Sequence, residues 1–228
     1  MTAQERAFLR EARPWGLILF KRNIDNRKQV SELIAESRFV LGRQAPVLID
    51  QEGGRVQRLG PPHWPAYPPG AVYGQIHDRD PAAGLAAARL GARLIAADLS
   101  EIGIDVDCLP LADVPVSGAD AMIGDRAYGE TPRKVAAIAA AIAEGLRLGG
   151  VLPVLKHIPG HGRANADSHL RLPTVDIDRA TLEATDFAAF CPLKSLPLGM
   201  TAHVVFSKID PVLPATTSSK IIREVIRG

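Results

Sequence analysis

Between Lys156 and His169 the chain reads K-H-I-P-G-H-G-R-A-N-A-D-S-H, and three of its six histidines fall in that stretch. Asp167 and His169 stand two residues apart. In an extended loop positions i and i+2 point the same way, so the carboxylate can hold one imidazole nitrogen and leave the other to give or take a proton near neutral pH. This is an acid/base pair suited to sugar chemistry; the plainer reading is a loop aspartate beside a surface histidine. Lys156 and His157 offer donors for sugar hydroxyls, against the alternative of a lysine that reaches solvent past a sheet edge. Pro159-Gly160-His161-Gly162 is a non-helical turn whose glycines permit positive φ or close approach of substrate to the backbone. Zinc sites built on one element favour helical i, i+4 spacing with a glutamate nearby. Pro159 and the glycines break any helix here, and no acidic residue lies between His157 and His161, so no metal is expected.

A second constellation is Asp50-Gln51-Glu52-Gly53-Gly54-Arg55. A carboxylate at a strand end can accept hydrogen bonds from adjacent sugar hydroxyls. Arg58 and Arg126 carry planar forks that bridge oxygens, although internal salt bridges would use them equally well. Neither glycine cluster has the spacing of a phosphate-binding or dinucleotide loop, and no serine-hydrolase elbow is present, so no cofactor is expected.

The elements that must position these groups follow from hydrophobic periodicity. Strands are expected at residues 16–20, 46–50, 105–111, 151–155 and 199–206. Helices are expected at 3–13, 27–41, 81–102, from Thr131-Pro132 to Gly149, at 179–190 and from Thr217 or Ser218 to the end. On the third helix Leu94, Ile95, Leu99 and Ile102 form one stripe; on the fourth, Val135, Ile138, Ile142 and Leu146 do. Residues 60–70 hold five prolines and read as a surface loop. Strands and helices alternate, and polar motifs sit where strands end, which is the pattern of a parallel α/β fold with its site at the carboxyl edge of the sheet. Residues 1–228 read as one domain. Five strands are too few to close a (β/α)₈ barrel, which typically needs about 250 residues; the expectation is either an open sheet or a barrel lacking elements.

Hydrophobic residues make up 46% and charged residues 23% of the 228, which supports a packed core. A formal net charge of +2 without basic blocks argues against nucleic acid or acidic membranes as partners. No apolar run is long enough to span a bilayer, and the N-terminus lacks a signal-peptide core, which points to the cytoplasm. Cys108 and Cys191 lie far apart; Cys108 in its apolar strand reads as a buried thiol rather than half of a bridge.

Taken together, the stretches Leu48 to Arg58, Ile123-Gly124-Asp125-Arg126, Lys156 to Gly162, Ala166 to His169 and Ala202-His203-Val204-Val205 resemble the bacterial beta-N-acetylglucosaminidases of glycoside hydrolase family 3, in their cytoplasmic peptidoglycan-recycling branch. The resemblance covers essentially the whole chain. It implies an incomplete (β/α)₈ TIM barrel, with the five strands seen here as the second to sixth of eight. It implies an enzyme that removes non-reducing terminal beta-linked N-acetylglucosamine from muropeptides with retention of configuration. It implies that Asp50, Arg58, Arg126, Lys156 and His157 bind the sugar and that His169, assisted by Asp167, is the general acid/base, a departure from the usual pair of carboxylates. The implied nucleophile is an aspartate on the strand after the one containing His203, expected beyond Gly228; Asp113 and Asp210 lack the family's motif for that role. A second chain that completes the barrel is the protein partner such an arc would take. A non-catalytic N-acetylglucosamine-binding remnant and an inactive fragment are the alternative readings.

Overall fold

A computed structural model describes residues 1–119, 121–164 and 171–228. Helix α1 (Ala3–Ala12) starts at Thr2, whose hydroxyl accepts from the Glu5 amide while Glu5 reaches back to the Thr2 amide. Strand β1 (Leu17–Leu19) follows, then α2 (Arg27–Leu41), capped by the Asn26 side chain on the Gln29 amide. Strand β2 (Val47–Ile49) runs directly into a small antiparallel hairpin, β3 (Gln51–Gly53) and β4 (Val56–Gln57). Helix α3 (Gly70–Arg79) abuts α4 (Pro81–Glu101), whose N-terminal amides at Ala82 and Ala83 are capped by Asp80. After β5 (Val106–Asp107) come α5 (Pro132–Leu148), β6 (Leu152–Ile158), β7 (Thr174–Val175) and α6 (Arg179–Ala184). The chain continues through β8 (Leu198–Thr201) and β9 (Val205–Phe206) to α7 (Ser219–Ile221), capped by Ser218 and extended by a wider turn over Ile222–Ile226.

Five strands form one parallel sheet in the order β1-β2-β5-β6-β8. That order never reverses. A doubly wound sheet places later strands on both sides of the first, whereas a sheet that grows in one direction is the wall of a (β/α) barrel. The choice left open by the strand count is thereby made: the chain forms a five-stranded arc of the barrel type.

Alternation along each strand divides the two faces. Val47 and Ile49 point to the layer shared with α2, α4 and α5, where Ile34, Ile95, Leu99, Ile138 and Leu146 are also buried. Leu48 points the other way, with Val106, Cys108, Val154, Leu198 and Met200. All four residues of the expected stripe on α5 are buried, and each contributes roughly 1.5–3 kcal/mol by leaving water. On α4 the stripe is shifted: Leu94 is exposed, and Ala88, Ala92 and Ala96 share the buried face with Ile95 and Leu99. Alanines let α4 and α5 approach closely, so the packed face follows small residues rather than the largest ones.

Several expected elements differ in extent, among them the strand expected at 151–155, which runs from Leu152 to Ile158 and so includes Lys156 and His157. The strand at 105–111 has ladder pairing over Val106–Asp107 and one further bridge at Leu111, because Pro110 has no amide to donate. The strand at 199–206 is two strands. Leu198–Thr201 pairs with β6, while Val205–Phe206 pairs in parallel with Thr174–Val175 in a separate ladder. Val204 and Phe206 are drawn into a second core with Leu182, Phe187 and Ile221, and Phe206 packs edge-on against Phe187 with centroids 5.5 Å apart. The helix at 179–190 stops at Ala184 and gives way to short turns that place Phe187 in the same core.

Helix α3 had no clear sequence signal, since Gly70 and Gly74 are poor helix formers. Their lack of side chains serves packing. A Cβ on Gly70 would lie 2.1 Å from the Arg126 carbonyl oxygen, and one on Gly74 would lie 2.1 Å from that of Tyr128. The helix therefore lies directly against the loop that carries Arg126.

Candidate functional site

Beyond the carboxyl ends of β2 and β6 lies a cleft of about 370 Å³ lined by Asp50, Arg58, Arg126, Lys156 and His157, together with His161, Thr201 and His203. The five residues expected to hold a sugar are thus brought into one place. Asp167 and His169 lie outside the described residues.

Lys156 sits within β6 and is 1% exposed, which overturns the alternative of a lysine extending into solvent. Its Nζ lies 3.0 Å from Asp50 Oδ1 and 2.5 Å from Glu52 Oε1. An ammonium has three donors, and the third has no partner among the described residues. Arg58 Nη2 donates to Asp50 Oδ2 at 3.1 Å, and Arg58 Nε is buried without a partner among the described residues. Arg126 grips Glu52 through both Nε and Nη2 at 2.8 Å and donates Nη1 to the Met122 carbonyl. Arg55 ties down the same loop through Asp125 and the carbonyls of Ala121 and Ile123. The internal salt bridges weighed for the arginines do form, and they form at the wall of the cleft.

Electrostatics follow from this pairing. Burial alone would raise the Asp50 carboxyl, but Lys156 and Arg58 outweigh it and hold the group below the usual carboxylate range. Burial acts on Glu52 in the same sense, and Lys156 and Arg126 overcome it to bring its pKa to about 2. Burial would likewise strip Lys156 of its proton; Glu52 and Asp50 reverse that and keep it charged. Asp107, fully buried beneath this set, is different. Burial dominates, the Gln51 amide at 3.0 Å is its hydrogen-bond donor, Oδ2 has no partner among the described residues, and its carboxyl is pushed well above the usual range.

Glu52 was quoted in the sequence motif without a role, yet it joins two of the cleft cations from behind. The signal was its i+2 spacing from Asp50. Asp113 and His161 also gain significance. Asp113 is fully buried and accepts from His157 Nδ1 at 2.7 Å and from the His161 amide at 2.6 Å. A carboxylate inside the apolar run Leu109 to Val116 demands such partners. The His161 ring is 2% exposed, with both nitrogens unpartnered among the described residues, and stands edge-on to His157 at 5.6 Å. Burial pushes its pKa down despite Asp113.

The turn at Pro159 to Gly162 is non-helical as expected, but close approach at Gly162 is to protein. A Cβ there would lie 1.9 Å from the Val114 carbonyl oxygen. The turn is pinned against the segment that carries Asp113. Asp210 is engaged elsewhere, accepting from the Val212 and Leu213 amides and from Ser218 Oγ. No group of three or more metal-ligating side chains occurs among the described residues.

An arc of parallel strands with a charged, sugar-sized cleft at its carboxyl edge defines a barrel-type α/β protein with a polar ligand site. The chain belongs to glycoside hydrolase family 3: the glycosyl hydrolase family 3 N terminal domain matches residues 1–228. It is 41% identical over 234 residues to a beta-hexosaminidase of Alkalilimnicola ehrlichii and 36% identical over 230 residues to one of Bordetella avium. Each alignment covers 100% of this chain and 65% of the relative, so the chain spans a little under two thirds of their length. The crystal structure of NagZ from Neisseria gonorrhoeae in complex with N-trifluoroacetyl-D-glucosamine superposes with a TM-score of 0.93 at 36% identity, over 100% of this chain and 67% of that one.

Proposed function

We propose that the chain forms the sugar-binding part of a beta-N-acetylglucosaminidase that releases non-reducing terminal N-acetylglucosamine from muropeptides in cytoplasmic peptidoglycan recycling. The observation that carries this reading is the Asp50–Lys156 pair in the cleft wall. Asp50 keeps acceptor capacity beyond its two ion-pair contacts, and Lys156 keeps one donor, so neighbouring hydroxyls of a pyranose can be bridged as donor and acceptor. Arg58, Arg126 and His157 complete the sugar contacts. The acid/base step falls to His169, with Asp167 fixing its tautomer. Retention requires a carboxylate that forms and then releases a glycosyl-enzyme intermediate. In this reading that aspartate lies in sequence following Gly228, and the strands that complete the barrel come from the same continuation or a second chain.

One observation favours a second reading for residues 1–228 taken alone, namely binding without turnover. Among the described residues at the cleft, Asp50 and Glu52 are ion-paired, Asp107 is fully buried, and Asp113 is held by the two histidines. None is free to attack an anomeric carbon. Calorimetric titration with N-acetylglucosamine, run beside an assay with an aryl beta-N-acetylglucosaminide, separates the two. Binding with no turnover supports the binding reading for this segment. Turnover abolished by His169→Ala excludes it, and absence of both sinks the sugar assignment.

A further inference from the structure

Asp113 has a surrounding that its sequence context did not announce. It lies behind the cleft wall, wholly shielded from solvent, and the cleft is lined instead by the two histidines that it contacts. Oδ1 accepts the His161 amide at 2.6 Å and Oδ2 lies 2.7 Å from His157 Nδ1. Burial would raise this carboxyl, but the hydrogen bond with the His157 ring and the main-chain amides of His157 and His161 on Oδ1 favour its ionised form. An ionised carboxylate only accepts hydrogen bonds, so the hydrogen between Oδ2 and Nδ1 belongs to the imidazole. Nδ1 is turned to Asp113, so Nε2, on the far side of this partly exposed, cleft-lining ring, is the nitrogen that faces away from the carboxylate.

We propose that Asp113 is a positioning residue that fixes His157 in its Nδ1–H tautomer, so that Nε2 presents a lone pair to the cleft and accepts a hydrogen from a ligand hydroxyl. This differs from the expectation that Lys156 and His157 are both donors. The adjacent pair becomes one donor and one acceptor, and a hydroxyl, which both gives and accepts, satisfies them together. A ligand offering only acceptors, such as a carboxylate or phosphate, leaves the imidazole lone pair unmet. The assignment of the hydroxyl to a sugar rests on the reading of the cleft given above; the tautomer does not.

The remaining geometry makes the device rigid. Asp113 must serve three donors, His157 Nδ1 and the main-chain amides of His157 and His161, and the turn that carries the last is pinned by the close contact of Gly162 with Val114. In Asp113→Asn a single acceptor oxygen is left. If it keeps the His161 amide, the new NH₂ faces His157 Nδ1, and the imidazole must carry its hydrogen on Nε2. The substitution thus reverses the character of the cleft nitrogen while nearly preserving shape.

The test is long-range ¹⁵N NMR of the histidine rings in the 1–228 chain at about pH 8.5, above the ordinary imidazole range. The His157 signals are assigned by their loss in His157→Gln. The wild type is expected to carry hydrogen on Nδ1, and Asp113→Asn on Nε2, with about a tenfold loss of N-acetylglucosamine affinity and a retained cooperative thermal transition. Hydrogen on Nε2 in the wild type overturns the proposal, and that measurement needs no variant to fold. An Asp113→Asn chain that keeps both tautomer and affinity overturns it as well. A reversed tautomer in a protein that never binds N-acetylglucosamine supports the positioning role and overturns the sugar as the hydroxyl's source.

Discussion

Lys156 Nζ on β6 lies 3.0 Å from Asp50 Oδ1 at the end of β2, across the width of the intervening strand β5. The two residues are 106 positions apart in the chain. Parallel register brings both strand ends to the same edge, and the buried ammonium then has Asp50 on the cleft side and Glu52 behind it.

The binding reading makes Asp50 its most sensitive position. Asp50→Asn removes the charge between Lys156 and Arg58 and weakens the charge-assisted hydrogen bonds to a ligand. Affinity for N-acetylglucosamine, measured by calorimetry, is expected to fall roughly 10- to 100-fold. Unchanged affinity would show that the ligand does not engage this carboxylate.

Glu52 should dominate the acid limb of stability. Its carboxyl has an ordinary value of 4.5 and is depressed to about 2 in the folded chain, burial being outweighed by Lys156 and Arg126. A depressed folded value stabilises above the unfolded value and is lost as pH falls through the folded one, so the contribution is complete above about pH 5 and disappears between there and about pH 2. Its size is about 3 kcal/mol. Urea unfolding of Glu52→Gln at pH 7 should show a loss of that order, and the deficit relative to wild type should shrink as pH is lowered.

Asp107 should behave in the opposite sense. Burial pushes its carboxyl well above the ordinary range in the folded chain, while the unfolded chain ionises it at the ordinary value. Folding then takes up a proton, and this penalty grows as pH rises above the ordinary aspartate range. Asp107→Asn imitates the protonated acid and removes the penalty, so its stability relative to wild type should increase from about pH 4 to about pH 7. A flat difference across that range would mean that Asp107 is ionised in the folded protein.

Gly70 links helix α3 to the cleft. In Gly70→Ala the new methyl carbon must displace the Arg126 carbonyl, which stands 2.1 Å from its ideal place. A destabilisation of about 1–3 kcal/mol is expected, together with weaker N-acetylglucosamine binding through the shifted guanidinium. Gly60→Ala is the control, since its nearest neighbour is the movable Gln57 side chain at 3.5 Å. Equal effects of the two substitutions on binding would dissociate α3 from the site.

What could be read from the chain was local. Val47, Leu48 and Ile49 announced a strand through their run of apolar residues, and the repeat from Val135 to Leu146 announced the buried face of α5. The same logic placed Asp50 at a strand end, because a polar residue directly after a buried strand emerges at the sheet's edge, but it ended the strand expected at 151–155 too early: β6 runs on to Ile158 and includes Lys156 and His157. Where local preference and packing disagreed, packing prevailed. Gly70 and Gly74 became helical to let two backbones touch, and Val205–Phe206 left the main sheet for a core that also holds Phe187.

By itself, then, the sequence determined the alternation of strands and helices and the chemical types gathered at the carboxyl edge. Only the tertiary structure decided which charges share partners: Glu52 with Arg126 and Lys156, and Asp113 with His157 and His161. Periodicity is written in neighbouring residues and survives without the fold. A buried charge chooses its partner across strands far apart in the chain, where register and the cost of leaving it unpaired make the selection.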